Sequence, residues 1–169
     1  MTYLKSLLTA AAVAFAVPGF TTAALAQEGL TISDPYAITS SAMAASGAAF
    51  FVVENPTADA DRLLSAASDV SDVVQLHTHI EDANGVMQMV EVPEGFEVPA
   101  GGTLVLKRGS HHVMFMGLKQ PLKQGDIIKV ALTFEKAGVI EIEVPVDLAR
   151  AAADAGMSMG AAPAEGASN

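Results

Sequence analysis

Residues 128–146 alternate with period two, and no run of ten or more residues between 29 and 146 carries the period of a helix. Ile128, Val130, Leu132 and Phe134 alternate with Lys129, Ala131, Thr133 and Glu135. After Lys136-Ala137-Gly138, the residues Ile140, Ile142, Val144 and Val146 alternate with Glu141, Glu143 and Pro145. Successive side chains of a strand point to opposite faces, so this stretch reads as an antiparallel hairpin with one buried and one wet face. Further strands are expected at residues 30–33, 48–54, 62–66, 74–80, 86–92, 103–107 and 111–116. Asn84-Gly85 marks a hairpin turn, and Pro99-Ala100-Gly101-Gly102 and Lys123-Gln124-Gly125-Asp126 mark two more turns. Seven to nine short strands at this spacing predict an all-β antiparallel sandwich or barrel.

The two ends read differently. Lys5, an apolar run over residues 7–20 and the small-x-small site Ala24-Leu25-Ala26 predict a cleavable signal peptide over 1–26, with Gln27 starting the mature chain. The apolar run is short for a membrane span and Pro18 interrupts it. A single domain over 27–146, soluble in the bacterial periplasm, is therefore expected. Beyond it, 147–156 suggests a short helix. Small residues, Gly and Pro from Met157 onward then suggest a flexible tail, so that 147–169 is expected to be a short helix followed by a flexible Met-containing tail.

Charge and cysteine usage exclude several functions. The formal net charge is −10, and loss of Lys5 with the leader makes the mature chain more acidic still. Nucleic-acid phosphates and anionic membrane surfaces both demand clustered Lys and Arg, so neither is an expected partner. The chain contains no cysteine. Disulfides, thiolate zinc sites, iron–sulfur clusters, cysteine nucleophiles and blue-copper centres are thereby excluded, as is a lipid anchor on a cysteine at the cleavage site.

All four histidines lie in two of the expected strands, His77 and His79 in one and His111 and His112 in the other. Four of the eight methionines, Met87, Met89, Met114 and Met116, lie in the same neighbourhood. Strand parity sets His77 and His79 opposite Leu76, Thr78 and Ile80, and sets His112, Met114 and Met116 opposite Val113 and Phe115. Met87 and Met89 fall opposite Val86, Gln88 and Val90, with Gln88 an awkward member of a core face. His111 has the other parity. Imidazole suits several metals, but thioether sulfur is soft and neutral and favours Cu(I) over zinc, magnesium or calcium. Singly, such residues are usually core filler or satisfied polar groups. Jointly, without cysteine, they point to copper. The tail pair Met157 and Met159 is either a secondary copper ligand set or ordinary low-complexity sequence.

The segments Val74-Gln75-Leu76-His77, Gly85-Val86-Met87-Gln88-Met89, Val98-Pro99-Ala100-Gly101-Gly102-Thr103, His112-Val113-Met114-Phe115-Met116-Gly117-Leu118 and Pro121-Leu122-Lys123-Gln124-Gly125-Asp126 follow one another in this chain. Over roughly residues 29–146 it resembles the PCuAC family of periplasmic copper(I) chaperones. That family's motif is a His, an optional Met, ten residues, a Met, twenty-one residues and His-x-Met. It falls here on His77, Met89, His112 and Met114. Thr78 replaces the optional Met, and 22 residues rather than 21 separate Met89 from His112. Taking His111 instead would restore the spacing but put Val113 where Met is needed.

The resemblance implies a cupredoxin-like, Greek-key β-sandwich and a Cu(I) ligand set of His77, Met89, His112 and Met114. It also implies delivery toward the dinuclear copper site of cytochrome c oxidase, with the apo copper subunit and a Sco-like thioredoxin-fold protein as partners. The expected activity is non-catalytic, since every histidine belongs to the cluster. A copper buffer without delivery, and a structural or adhesive sandwich with incidental His and Met, are the competing readings.

Overall fold

A computed structural model describes residues 29–41 and 43–150. The expected signal peptide and the part of the tail holding Met157 and Met159 lie outside the described residues.

Among the described residues, ten strands form two sheets. In chain order they are β1 (Thr31–Thr39), β2 (Ser46–Glu54), β3 (Asp61–Ala67), β4 (Ser71–Glu81), β5 (Met87–Glu91), β6 (Phe96–Val98), β7 (Thr103–Leu106), β8 (His112–Leu118), β9 (Ile127–Phe134) and β10 (Gly138–Pro145). One sheet has the order β1-β2-β8-β4-β5, with β7 also pairing β2; the other runs β10-β9-β3-β6. All strand pairs are antiparallel. An isolated parallel bridge from Val146 to Ala37 ties the end of the second sheet to the edge of the first. The expected all-β, cupredoxin-like sandwich is what the chain forms.

Alternation accounts for the core. Ile128, Val130, Leu132 and Phe134 are all buried, and Val130, Leu132 and Phe134 meet Phe51, Val53, Leu63, Val113, Phe115 and Val144 between the sheets. The β9–β10 hairpin pairs Ile128 with Val144 and Leu132 with Ile140, as their shared parity requires. Buried Asp61 fastens this hairpin to β3. Its carboxylate accepts hydrogen bonds from the backbone N–H groups of Arg62 at 2.7 Å, Lys136 at 2.9 Å and Ala137 at 2.9 Å. Burial pushes the Asp61 carboxyl up, but the three backbone donors outweigh that and hold it below the usual carboxylate range.

The structure differs from the sequence reading in three places. β6 was not expected: three residues are too few to show alternation, and this strand exists because Asp61–Leu63 pair with it. β6 is reached through Gly95, whose φ is 76° and where a Cβ would lie 2.1 Å from the Leu63 carbonyl oxygen. β1 continues through Pro35 to Thr39 instead of stopping at residue 33. It does so by a register shift between Ser33 and Tyr36, an edge-strand irregularity that accommodates both Pro35 and the positive φ of Asp34. Gln88 presents no conflict, because β5 runs beyond the core and Gln88 donates to Asp82 Oδ2 at 2.9 Å on the surface. Of the expected helix over 147–156, residues 148–150 are helical; Asp147 Oδ1 caps them by accepting from the Arg150 N–H at 3.0 Å, and the remainder lies outside the described residues.

Asp61→Ala strips three backbone donors of their buried acceptor, and should destabilise the domain by about 2–4 kcal/mol in denaturant unfolding. Because the folded-state pKa is depressed, the wild-type contribution is present above the unfolded value and lost as pH falls through the folded one. The gap between wild type and variant should therefore narrow in strong acid. An equal gap at every pH would mean that the carboxylate charge is not involved.

Candidate metal centre

Directly opposed residues in a sheet share a face. In the larger sheet β4 and β8 pair His77 with His112 and Gln75 with Met114, and β4 and β5 pair His79 with Met89. Gln75, His77, His79, Met89, His112 and Met114 thus stand on the outer face, while Leu76, Val113 and Phe115 take the core face.

Three local features position them. The β4–β5 turn is an Asx-type turn: Asp82 Oδ1 accepts from the N–H groups of Asn84 at 2.8 Å and Val86 at 3.0 Å, with Gly85 at a φ of 80°. It fixes the register of β5. The β7–β8 connection is a tight turn in which Ser110 N–H donates to the Lys107 carbonyl at 3.0 Å, with Gly109 at a φ of 75° as a type II turn requires. It leaves the Ser110 carbonyl aimed at the imidazoles. On β2, small Ala48 lies opposite Met114 and gives that side chain room.

His112 is the fixed member. It is 3% exposed, and its ring lies 6.1 Å from Phe50, 5.9 Å from His77 and 5.2 Å from His79, centroid to centroid. Its Nδ1 is 2.9 Å from the Ser110 carbonyl, which can only accept, so Nδ1 carries the proton. In the neutral ring Nε2 is then a bare lone pair, and it faces the Met89 sulfur at 3.1 Å. Two lone-pair donors converge there with no proton between them.

His77, on β4 directly opposite His112, has a similar arrangement. Its Nε2 donates to Gln75 Oε1 at 3.1 Å, which leaves Nδ1 as the lone-pair nitrogen, buried and without a hydrogen-bond partner among the described residues. His79 Nδ1 lies 3.5 Å from the same Ser110 carbonyl. Burial first, and then the neighbouring His79 and His77 rings, lower the His112 pKa, against the opposing Ser110 hydrogen bond. Burial likewise lowers that of His77, with Glu91 opposing. Both rings are therefore held in the neutral, ligand-competent form at neutral pH.

His111 takes no part in the cluster. It packs on Phe96 with ring centroids 4.3 Å apart, on the parity opposite to His112. Met116 shares the outer face but pairs with Ser46 and Val73, farther along the strands. No group of three His, Cys, Asp or Glu side chains among the described residues is arranged to hold a metal; the further donors on this face are the thioethers of Met89 and Met114. A cleft of about 810 Å³ elsewhere is lined by Asn55, Asp61 and Lys136, but Asn55 and Asp61 already spend their polar atoms on backbone and Thr57. Sequence reasoning placed His79 on the His77 face without assigning it as a ligand, and gave no role to Gln75 or Ser110. The same parity places Gln75 on the His77 face and could have found it; a backbone carbonyl leaves no sequence signal.

Comparison with known proteins agrees with this fold. The model of the "Putative lipoprotein LpqE-like" family matches residues 30–146. A curated relative from Leifsonia xyli subsp. xyli, "Putative lipoprotein Lxx21020", is 39% identical over 99 residues, covering 59% of this chain and 59% of the relative. This chain thus matches rather less than two thirds of that protein's length. Among solved structures, that of CuI-DR1885 from Deinococcus radiodurans is 29% identical, with a TM-score of 0.53, covering 73% of this chain and 83% of that one. The copper-bound PCuAC domain from PmoF2 is 20% identical with a TM-score of 0.58, covering 70% and 92%. The resemblance to PCuAC domains read from the sequence thus extends to the fold, and the chain belongs to the LpqE-like family.

Proposed function

We propose that this protein is an extracytoplasmic Cu(I) carrier that holds its ion with His77, Met89, His112 and Met114. The observation that carries the reading is the pair of lone-pair donors, His112 Nε2 and Met89 Sδ, facing each other at 3.1 Å while the other His112 nitrogen is committed to the Ser110 carbonyl. Metal-bound histidines are held this way, with the second ring nitrogen donating to a carbonyl or carboxylate. Gln75 does the equivalent for His77. A donor set of neutral imidazoles and thioethers without carboxylate suits Cu(I), since soft sulfur favours the soft ion. Two structurally similar proteins, the copper-bound PCuAC domain from PmoF2 and CuI-DR1885, support the same cargo.

The site also suits handing over rather than keeping the ion. His112 is buried, whereas Met89 is 47% exposed on an edge strand, so an incoming ligand can replace the thioether before the imidazole. With the leader 1–26 removed the protein is periplasmic, and the dinuclear copper site of cytochrome c oxidase, with a Sco-like thioredoxin-fold protein as intermediary, is the proposed destination. The reading is tested by anaerobic Cu(I) titration followed by transfer to the apo copper-binding fragment of the oxidase. One tightly bound Cu(I), poorly displaced by zinc and passed to the fragment, is expected. Tight binding without transfer would make the protein a buffer, and equal competition by zinc would remove the copper reading.

Ligand and supporting residues should separate. Met114→Leu and His112→Ala should lower Cu(I) affinity by more than about 100-fold, whereas loss of an outer partner in Gln75→Ala should cost about tenfold. Met114→Leu conserves volume and should cost less than about 1.5 kcal/mol of stability. His111→Ala should leave affinity near wild type. Competition titrations read all four.

Protons compete with copper for the two imidazoles. With both pKa values below the ordinary His value of about 6.5, Cu(I) affinity should be flat above neutrality and fall only as pH drops below it. His77→Met replaces one titrating ligand, so the slope of affinity against pH should lose about one proton. An unchanged slope would remove His77 from the set.

A further inference from the structure

β5 is the edge of the larger sheet and has β4 as its one sheet neighbour among the described residues. The hydrogen bonds at its two ends show which of its backbone groups face outward. Val92 N–H donates to the Leu76 carbonyl at 2.8 Å, and Asp82 N–H donates to the Val86 carbonyl at 2.9 Å. Hydrogen-bonded pairs alternate along an antiparallel ladder, so Val86, Gln88, Val90 and Val92 turn their backbone groups toward β4. Met87, Met89 and Glu91 turn theirs to the open edge. The side chains of these same three residues stand on the metal-centre face, opposite Glu81, His79 and His77. A strand added at this edge would hydrogen-bond to Met89 itself. The partner residue opposite Met89 would put its side chain on the same face, with Cβ atoms about 5 Å apart.

The charge of the edge selects the partner. No Lys or Arg occurs between Arg62 and Lys107, whereas Glu81, Asp82, Glu91 and Glu94 lie in or next to the β4–β5 hairpin. Edges are commonly blocked with Lys, Pro or a bulge, and β5 has none of these. A second copy of this chain would set acidic edge against acidic edge.

Resting on the copper reading above, we propose that β5 is the docking site for an extended segment of the copper-accepting protein, which adds as a further strand. That segment carries a soft donor (Met, Cys or His) opposite Met89 and Lys or Arg two residues to either side, on the same face. Docking aligns the incoming ligand with the most exposed donor of the set, so that transfer becomes an exchange between cross-strand neighbours.

The test uses the full chain and the peptide Lys-Val-Met-Val-Lys, with Val-Lys-Met-Lys-Val, whose Lys side chains fall on the opposite face, as the comparison. At millimolar peptide, the amides of Met87, Met89 and Glu91 should gain protection from hydrogen exchange. Those of Gln88 and Val90, already paired with β4, should change little. Cu(I) transfer to the first peptide should be several-fold faster than to the second. Met87→Pro removes an outward N–H at the first residue of the strand, where proline is tolerated. It should slow transfer relative to Met87→Leu, which keeps the N–H, with Cu(I) affinity equal in the two variants. Equal transfer rates from both, or unchanged exchange at the three amides, would overturn the docking proposal and leave the copper reading standing. Failure of the wild-type chain to bind Cu(I) would instead remove the copper reading. Protection of the three amides in a dimer of the chain, with no peptide present, would assign the edge to a second copy and overturn the proposal.

Discussion

Everything at the candidate metal centre depends on the register of β8 between β2 and β4. β8 pairs on one side with Ser46–Ala49 and on the other with β4 from Ser71 to His77. In that register Val113 and Phe115 are fully buried between the sheets, and His112 and Met114 are turned to the outer face. A slip of one residue would exchange the two sets, exposing two core side chains and burying donors without partners. The hydrophobic demand of the core therefore holds the soft donors in place, although none of them belongs to the core cluster.

Around that register the donors are graded in mobility. His112 is locked by the Ser110 carbonyl, by Phe50 behind it and by burial. His77 is held by Gln75 from the same strand. Met89 rides on a five-residue edge strand whose register comes from the Asp82 turn. Rigid elements at one end and an open edge at the other fit the proposed carrier role, in which an ion is held firmly and can still be reached. The Tyr36–Phe50 ring pair extends the outer-face packing, and Arg150 covers Tyr36 at 3.8 Å while bridging to Asp34. The capped start of the C-terminal segment is thereby fastened beside the centre.

Much of this was legible residue by residue. Period-two alternation located β9 and β10 and predicted which side of each is buried. Parity alone separated His112 from His111, and the rings now lie on opposite sides of β8. Parity also put His79 on the His77 face, and it would have put Gln75 there too. β6 and the continuation of β1 past Pro35 were not legible, because a three-residue strand has no period to read and a bulge resets the alternation it interrupts.

By itself the sequence determined the strand periodicity, the absence of any thiolate, and the soft, neutral character of the donors, since each of these is a property of residue type and spacing. Only the tertiary structure decided which donors meet. His77 and His112 are 35 positions apart in sequence yet sit directly opposite each other, because β4 and β8 pair at that register. The tautomer of His112 depends on a carbonyl that a turn delivers, and the exposure of Met89 depends on β5 being the last strand of its sheet. Contacts between strands distant in the chain follow from how the whole core packs, and no local pattern encodes them.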